Sequence, residues 1–215
     1  MQLTNDASRY GAISQGLHWT TAALVIVLLL MGDAFDMKAD QPDSALFFWH
    51  SSFGILVFLL AAARIGWLLF SRPPALVPSM SRPYRVLARS THIALYALLF
   101  ALPVSGWLAA SSEGAPVSFF GITTVPQWGA ARTGPISHAI ARQSGPTAAA
   151  ARAEQASAAP KNEGEGALKE IHEVLGNVLL VLASFHVLAA LKHHFVDHDD
   201  VVRRMLPRAG PQTHA

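Results

Sequence analysis

The sequence contains no cysteine and few charged residues. Without cysteine the chain cannot form disulfides, hold an iron–sulfur cluster or attach a haem covalently through its thiols. Charged side chains make up 14% of the 215 residues, whereas soluble domains carry about a quarter. So small a charged fraction cannot cover the surface of a soluble domain of this size. The composition therefore predicts a membrane protein with little mass outside the lipid.

Four apolar stretches account for this composition. They run over residues 13–31, 46–70, 86–110 and 168–195. A helix of about 20 residues crosses the hydrocarbon core of a bilayer. The first stretch ends at Asp33 without a small-residue cleavage site, so we expect a retained helix and no signal peptide. The fold class predicted for residues 1–215 is all-α, a single integral membrane four-helix bundle with a long loop over about 111–167.

Basic residues are distributed unequally between the two ends of these helices. The end that carries both chain termini contains Arg9, Arg72, Arg82, Arg85, Arg89, Lys192, Arg203, Arg204 and Arg208. The short loop at the opposite end has Lys38 alone among four aspartates. Because positive residues remain on the cytoplasmic side, both termini are predicted to be cytoplasmic in a multi-pass bacterial inner-membrane protein. This rule also explains the basic pI, which gives no support for binding to nucleic acid.

Histidines recur within the apolar stretches at two depths. His172 and His186 are fourteen residues apart, which places them on nearly one helix face, about 21 Å apart along the axis. In the predicted topology, His50 lies at the depth of His172, near the periplasm, and His18 lies at the depth of His186. Imidazole rings are costly inside lipid and are usually functional there. Two facing pairs at two depths predict two stacked cofactors.

Paired imidazoles suit a haem that transfers electrons, because both axial positions of the iron are then filled. Gly54 and Gly176 follow His50 and His172 by four residues and therefore share a helix face with them. A glycine there lets a flat porphyrin approach the backbone. Close packing of helices through small residues explains the same two glycines equally well.

Further polar residues lie near the predicted cytoplasmic pair. His92 lies one or two turns into the third stretch and is an alternative to His18, although it could instead contact a haem propionate or a quinone. Arg85 and Arg89 begin the same stretch, where arginine binds propionates or anionic lipid. Arg64 is expected to extend to the cytoplasmic surface.

Ordered motifs along most of the chain resemble the bacterial cytochrome b561 family. They are Ile13-Ser14, Leu17-His18-Trp19, His50 with Gly54, His92 with Tyr96, Ala101-Leu102-Pro103-Val104 with Gly106, Phe119-Phe120-Gly121, His172-Glu173, His186, Lys192-His193-His194-Phe195 and Arg204-Met205-Leu206-Pro207. The resemblance implies two non-covalent b haems, one ligated by His18 and His186 and the other by His50 and His172. It also implies electron transfer linked to ubiquinone, and some members are described as superoxide:ubiquinone oxidoreductases.

The reaction implied by the resemblance takes electrons from a small periplasmic donor such as superoxide and reduces quinone. Quinone reduction consumes protons, so an ionisable group is expected near the acceptor. His92, Lys192 and His193 are the candidates for this contact.

Two other functions compete with this interpretation. The chain could be the haem-bearing membrane anchor of a dehydrogenase or hydrogenase, passing electrons from that protein partner to quinone. A histidine-lined metal transporter is the third possibility, and it predicts histidines and carboxylates clustered at one depth near the midplane. The histidines here lie at two depths, and no acidic residue lies deep in any stretch, which disfavours a transporter.

Overall fold

Four long helices form the fold of this chain. A computed structural model describes residues 2–37, 45–75, 81–113, 115–127 and 163–206. The helices are α1 (Ala12–Met37), α2 (Ala45–Phe70), α3 (Arg82–Ser112) and α4 (Glu163–Phe195). Each is long and apolar enough to cross a membrane, which confirms the predicted all-α membrane bundle.

The helices extend beyond the apolar stretches from which they were predicted. Hydropathy marks only the part of a helix that lies in lipid, whereas the hydrogen-bonded backbone continues into the surrounding water. α3 begins at Arg82 with a proline in its first turn, where the missing N–H would have no helical partner anyway. Pro103 lies inside α3, as the sequence requires, and removes one backbone hydrogen bond there.

Helices that are adjacent in sequence pack together. α1 packs on α2, α2 packs on α3, and α3 has the most extensive contact with α4, while a much smaller contact between α1 and α4 closes the bundle. Val57, Ala61 and Leu179 are buried between helices. Many larger apolar side chains, such as Leu30 and Phe185, point outward, as expected for a surface that faces lipid.

A short hairpin is fixed to one end of α2. Its strands β1 (Ser118–Phe119) and β2 (Thr123–Thr124) pair antiparallel. Phe120 and Gly121 make the turn with positive φ angles of 49° and 71°. The hydroxyl of Ser52, which is completely buried, donates to the carbonyl of Ser118 at 3.0 Å and accepts from the N–H of Phe120 at 3.1 Å. No pattern in the sequence predicted this hairpin.

The first and last described segments meet in what we call the terminal clasp, formed by residues 9–19 with residues 203–206. The guanidinium of Arg9 donates to the carbonyls of Arg203 and Leu206 at 2.9 and 3.0 Å. The indole N–H of Trp19 donates to the carbonyl of Met205 at 2.9 Å. Both described ends therefore lie at the same end of the bundle, and the assignment of that end to the cytoplasm stays a prediction.

Part of the predicted organisation lies outside the described residues. This applies to most of the loop predicted over about 111–167, to the short acidic loop with Lys38, and to Arg208.

Candidate haem sites

His50 on α2 and His172 on α4 face each other at one end of the bundle. Their ring centres are 6.2 Å apart, and the ring planes are inclined by 76°. Nδ1 of His172 lies 3.1 Å from the carbonyl oxygen of Leu102 and 3.0 Å from Oγ of Ser105. Because a carbonyl only accepts, Nδ1–H donates and Nε2 keeps its lone pair. A histidine that binds a metal is usually oriented by a hydrogen bond of this kind.

Three histidine rings lie close together at the second candidate site. The ring centres of His18 on α1 and His186 on α4 are 6.4 Å apart, with planes inclined by 70°. The ring of His92 on α3 is 5.3 Å from that of His186, and its Nδ1 donates to the carbonyl of Ala88 at 2.6 Å. His92 is exposed, whereas His18 and His186 are half-buried. The structure thus places both candidates, His18 and His92, beside His186.

The two longer distances between ring centres, 6.2 and 6.4 Å, fit a metal held between two rings. An imidazole nitrogen binds a first-row metal at about 2 Å, and its ring centre lies about 1 Å farther back, so two opposed ligands have ring centres about 6 Å apart. The pairs at 6.2 and 6.4 Å agree with this spacing. The pair of His92 and His186, at 5.3 Å, is too close to hold a metal without movement of a ring.

Gly106 on α3 allows the ring of His172 to lie against the helix backbone. A Cβ at position 106 would stand 2.9 Å from Cε1 and 3.2 Å from Nδ1 of that ring. By contrast, apart from the helix's own nearby backbone, no atom of the described residues lies within 4 Å of a Cβ placed at Gly54 or Gly176. The space beside these two glycines agrees with the prediction that a porphyrin approaches the backbone there. Gly106, in contrast, is in contact with a histidine ring.

Arg64 on α2 does not extend to the surface, and the expectation that it would is wrong. Its guanidinium lies 2.9 Å from Nδ1 of His18 and over the ring of Tyr96, 5.4 Å from the ring centre. An imidazole nitrogen and an aromatic face offer a cation better partners than lipid does. Close by, burial raises the pKa of Tyr10, and the positive charge of Arg64 partly opposes that rise.

Two candidates for contact with quinone are paired with carboxylates beyond the end of α4. Nζ of Lys192 donates to both carboxylate oxygens of Asp197 at 2.8 and 2.7 Å, and the hydrogen bond holds the pKa of Asp197 below its usual range. Nδ1 of His193 lies 2.6 Å from Oδ2 of Asp199. Neither aspartate was among the predicted site residues, although both follow α4 closely in the sequence.

The predicted propionate or lipid contacts lie in the first turns of α3. Arg85 is half-buried and Arg89 is exposed. Within the part of the chain that the structure describes, neither side chain forms an ion pair. Their contact with propionates or lipid stays a prediction.

The family model of the prokaryotic cytochrome b561 matches residues 9–208. The chain belongs to this family. It is 34% identical to cytochrome b561 homolog 2 of Escherichia coli strain K12, with 97% of each chain covered. It is 28% identical to the probable superoxide oxidase CybB of Yersinia pestis, with 93% of this chain and 97% of the relative covered.

Membership of the cytochrome b561 family confirms the resemblance seen in the sequence motifs. A further relative, cytochrome b561 homolog 1 of E. coli strain K12, is 24% identical over 94% of this chain and 98% of its own length. The family consists of membrane proteins that transfer electrons through haem b. Together with four helices that can span a membrane, this identifies a multi-pass protein of the bacterial inner membrane.

Proposed function

We propose that this cytochrome b561 transfers electrons from a donor on the periplasmic side to ubiquinone, through two b haems. The observation that carries the proposal is the pair of facing histidine sets, with ring centres 6.2 and 6.4 Å apart on helices that can span a membrane. A haem with two axial imidazoles exchanges one electron at a time with little rearrangement of its ligands.

The proposed ligand pairs are His50 with His172 and His18 with His186. Leu102 and Ser105 support the first pair because they fix the orientation and the protonated nitrogen of His172. The ring spacing favours His18 over His92 in the second pair. His92 then lies beside that pair as a partner for a propionate or for quinone.

Superoxide is the proposed donor. The relative from Yersinia pestis is named a probable superoxide oxidase, and the proposed site of His50 and His172 lies at the end of the bundle assigned to the periplasm. Each superoxide ion gives up one electron and leaves as molecular oxygen. Quinone takes up two electrons and two protons to become quinol, so two superoxide ions are consumed for each quinol formed.

Quinone is proposed to react at the opposite end, where the terminal clasp lies. The protons must come from groups at that end. His193 is suited to this role because Asp199 binds one ring nitrogen and leaves the other for exchange with a ligand or with water. Lys192 is the second candidate, although Asp197 already engages its ammonium group.

The test is quinol formation by the purified protein with superoxide as the only reductant. Haem content is measured first, and about two b haems per chain are expected for two filled axial pairs. Superoxide generated enzymatically should then produce quinol from a short-chain ubiquinone, and His172→Ala should abolish this. Two haems without quinol formation would contradict the proposed reaction. Activity restored only by a soluble dehydrogenase would instead support the membrane-anchor function.

A further inference from the structure

The two histidine pairs have different electrostatic surroundings. The hydrogen-bond partners of His172 are neutral oxygens, those of Leu102 and Ser105. The neighbour of His18 is the guanidinium of Arg64, 2.9 Å from Nδ1. A guanidinium only donates, so Nδ1 accepts in this contact and Nε2 carries the ring proton. To bind iron through Nε2 the ring must carry that proton on Nδ1, and Arg64 then acts on it as a nearby charge and not as a hydrogen-bond donor. A guanidinium remains protonated at any pH that a protein tolerates, so one pair has a fixed positive charge beside it.

The charge of Arg64 is held within the bundle. Arg64 is half-buried on α2, and its guanidinium also lies over the ring of Tyr96. No aspartate or glutamate forms an ion pair with it in residues 2–37, 45–75, 81–113, 115–127 or 163–206. Away from water and from a counter-ion, a charge acts on its neighbours several times more strongly than at an exposed surface.

We propose that Arg64 raises the reduction potential of the haem held by His18 and His186 above that of the haem held by His50 and His172. The proposal rests on the ligand pairs given under the proposed function. Adding one electron to a metal centre lowers its charge by one, so a fixed cation nearby stabilises the reduced form. The neutral hydrogen-bond partners of His172 give that ring no comparable stabilisation.

This difference gives electron transfer a direction. One electron that leaves superoxide and reaches the pair of His50 and His172 moves downhill in free energy to the pair of His18 and His186. Arg64 therefore acts through its charge on the potential of one haem, and it contacts neither the donor nor the quinone. The same protein without this cation would hold its electrons more evenly between the two pairs.

Optical redox titration of the haem-loaded protein tests the proposal. Arg64→Gln removes the charge, whereas Arg64→Lys keeps it. Arg203→Gln is the matched control, because Arg203 is exposed and pairs loosely with Asp200 at 3.7 Å. We expect Arg64→Gln to lower one midpoint potential by at least 59 mV, which is a tenfold change in the equilibrium of a one-electron couple. Arg64→Lys and Arg203→Gln should leave both potentials near their original values.

Combining Arg64→Gln with His172→Ala identifies which haem responds. His172→Ala should leave only the haem of His18 and His186, and Arg64→Gln must shift the potential of that remaining haem. If His172→Ala removes both haems or neither, the assignment of ligands fails. If the haem content is as expected but the potential does not move, the inference about Arg64 alone is wrong.

The sign of the shift is also decisive. A higher potential in Arg64→Gln would mean that Arg64 holds His18 as an anionic ring, and this overturns the proposal. Should Arg64→Gln lose haem, Tyr96→Glu provides the second measurement, since a carboxylate beside the guanidinium neutralises it in place. Tyr96→Glu is expected to lower the same potential. Loss of haem in both variants would show that Arg64 binds the cofactor instead, and would also overturn the proposal.

Discussion

Gly106 and His172 are in direct contact across the interface between α3 and α4, with 2.9 Å between a Cβ built at position 106 and Cε1 of the ring. Real Cβ atoms do not approach a neighbour so closely, so any side chain at position 106 must displace the ring. Since the hydrogen bonds to Leu102 and Ser105 fix that ring, the contact links the identity of one residue on α3 to a proposed ligand on α4.

Gly106→Ala is expected to weaken haem binding at the site of His50 and His172. The added methyl group pushes the ring of His172 away from its hydrogen-bond partners, and the haem content should fall from about two per chain toward one. A pyridine haemochrome assay measures this fall. Gly66→Ala is the control. Apart from the helix's own nearby backbone, a Cβ at position 66 would have no atom of the described residues within 4 Å, and alanine gains up to about 1 kcal/mol of helix propensity. Equal haem content in the two variants would contradict the prediction.

Substitution of the histidines separates the two candidates beside His186. His18→Ala and His186→Ala should each remove one haem and leave the other, because a haem that loses an axial imidazole binds weakly. His92→Ala should retain both haems, since its ring lies too close to His186 to share a metal. Reduced-minus-oxidised absorption spectra report the low-spin bands that remain. Haem loss in His92→Ala without loss in His18→Ala would reverse the assignment.

Ser52→Ala should loosen the hairpin from α2. The substitution leaves the carbonyl of Ser118 and the N–H of Phe120 without the hydroxyl that joins them to the helix. A buried polar group without a partner costs about 1–3 kcal/mol. We expect a lower thermal midpoint in detergent and faster proteolysis within 115–127. Ser51→Ala, which loses only a bond to the Phe48 carbonyl of the same helix, should resemble the unsubstituted protein, and similar losses in both would refute this role of Ser52.

Arg9→Ala should open the terminal clasp. Both hydrogen bonds of its guanidinium run to carbonyls of residues 203–206, and their loss is expected to cost about 1 kcal/mol, since they are exposed to water. Limited proteolysis should then cut near residues 203–206 more rapidly. Arg203→Ala removes only an exposed ion pair, which contributes little. Equal cleavage of the two variants would show that Arg9 does not secure the segment.

The sequence was sufficient to predict the elements whose signals are local. Four apolar stretches predicted four helices, and the fourteen-residue spacing of His172 and His186, combined with the topology, predicted which rings lie at the same depth. The structure places His50 beside His172 and His18 beside His186, while their role as ligands stays a prediction. Such features follow from the period of a helix and the thickness of a bilayer.

Features that depend on packing between distant segments could not be predicted. The orientation of the Arg64 side chain is set by His18 and Tyr96, which lie on two other helices. The attachment of the hairpin depends on Ser52, a small polar residue with no distinguishing pattern in the sequence. Hydropathy registers how apolar a segment is, but it does not specify which neighbours a polar side chain will meet.

The terminal clasp has a consequence for how the protein is made. Arg9 and Trp19 bond to residues that lie 186 to 197 positions later in the sequence, so these bonds have a very high contact order. The segment around residue 9 leaves the ribosome before its partners at residues 203–206 have been synthesised. Arg9 and Trp19 therefore remain without these bonds until the fourth helix has been inserted. Closing the clasp is thus a late step of biogenesis.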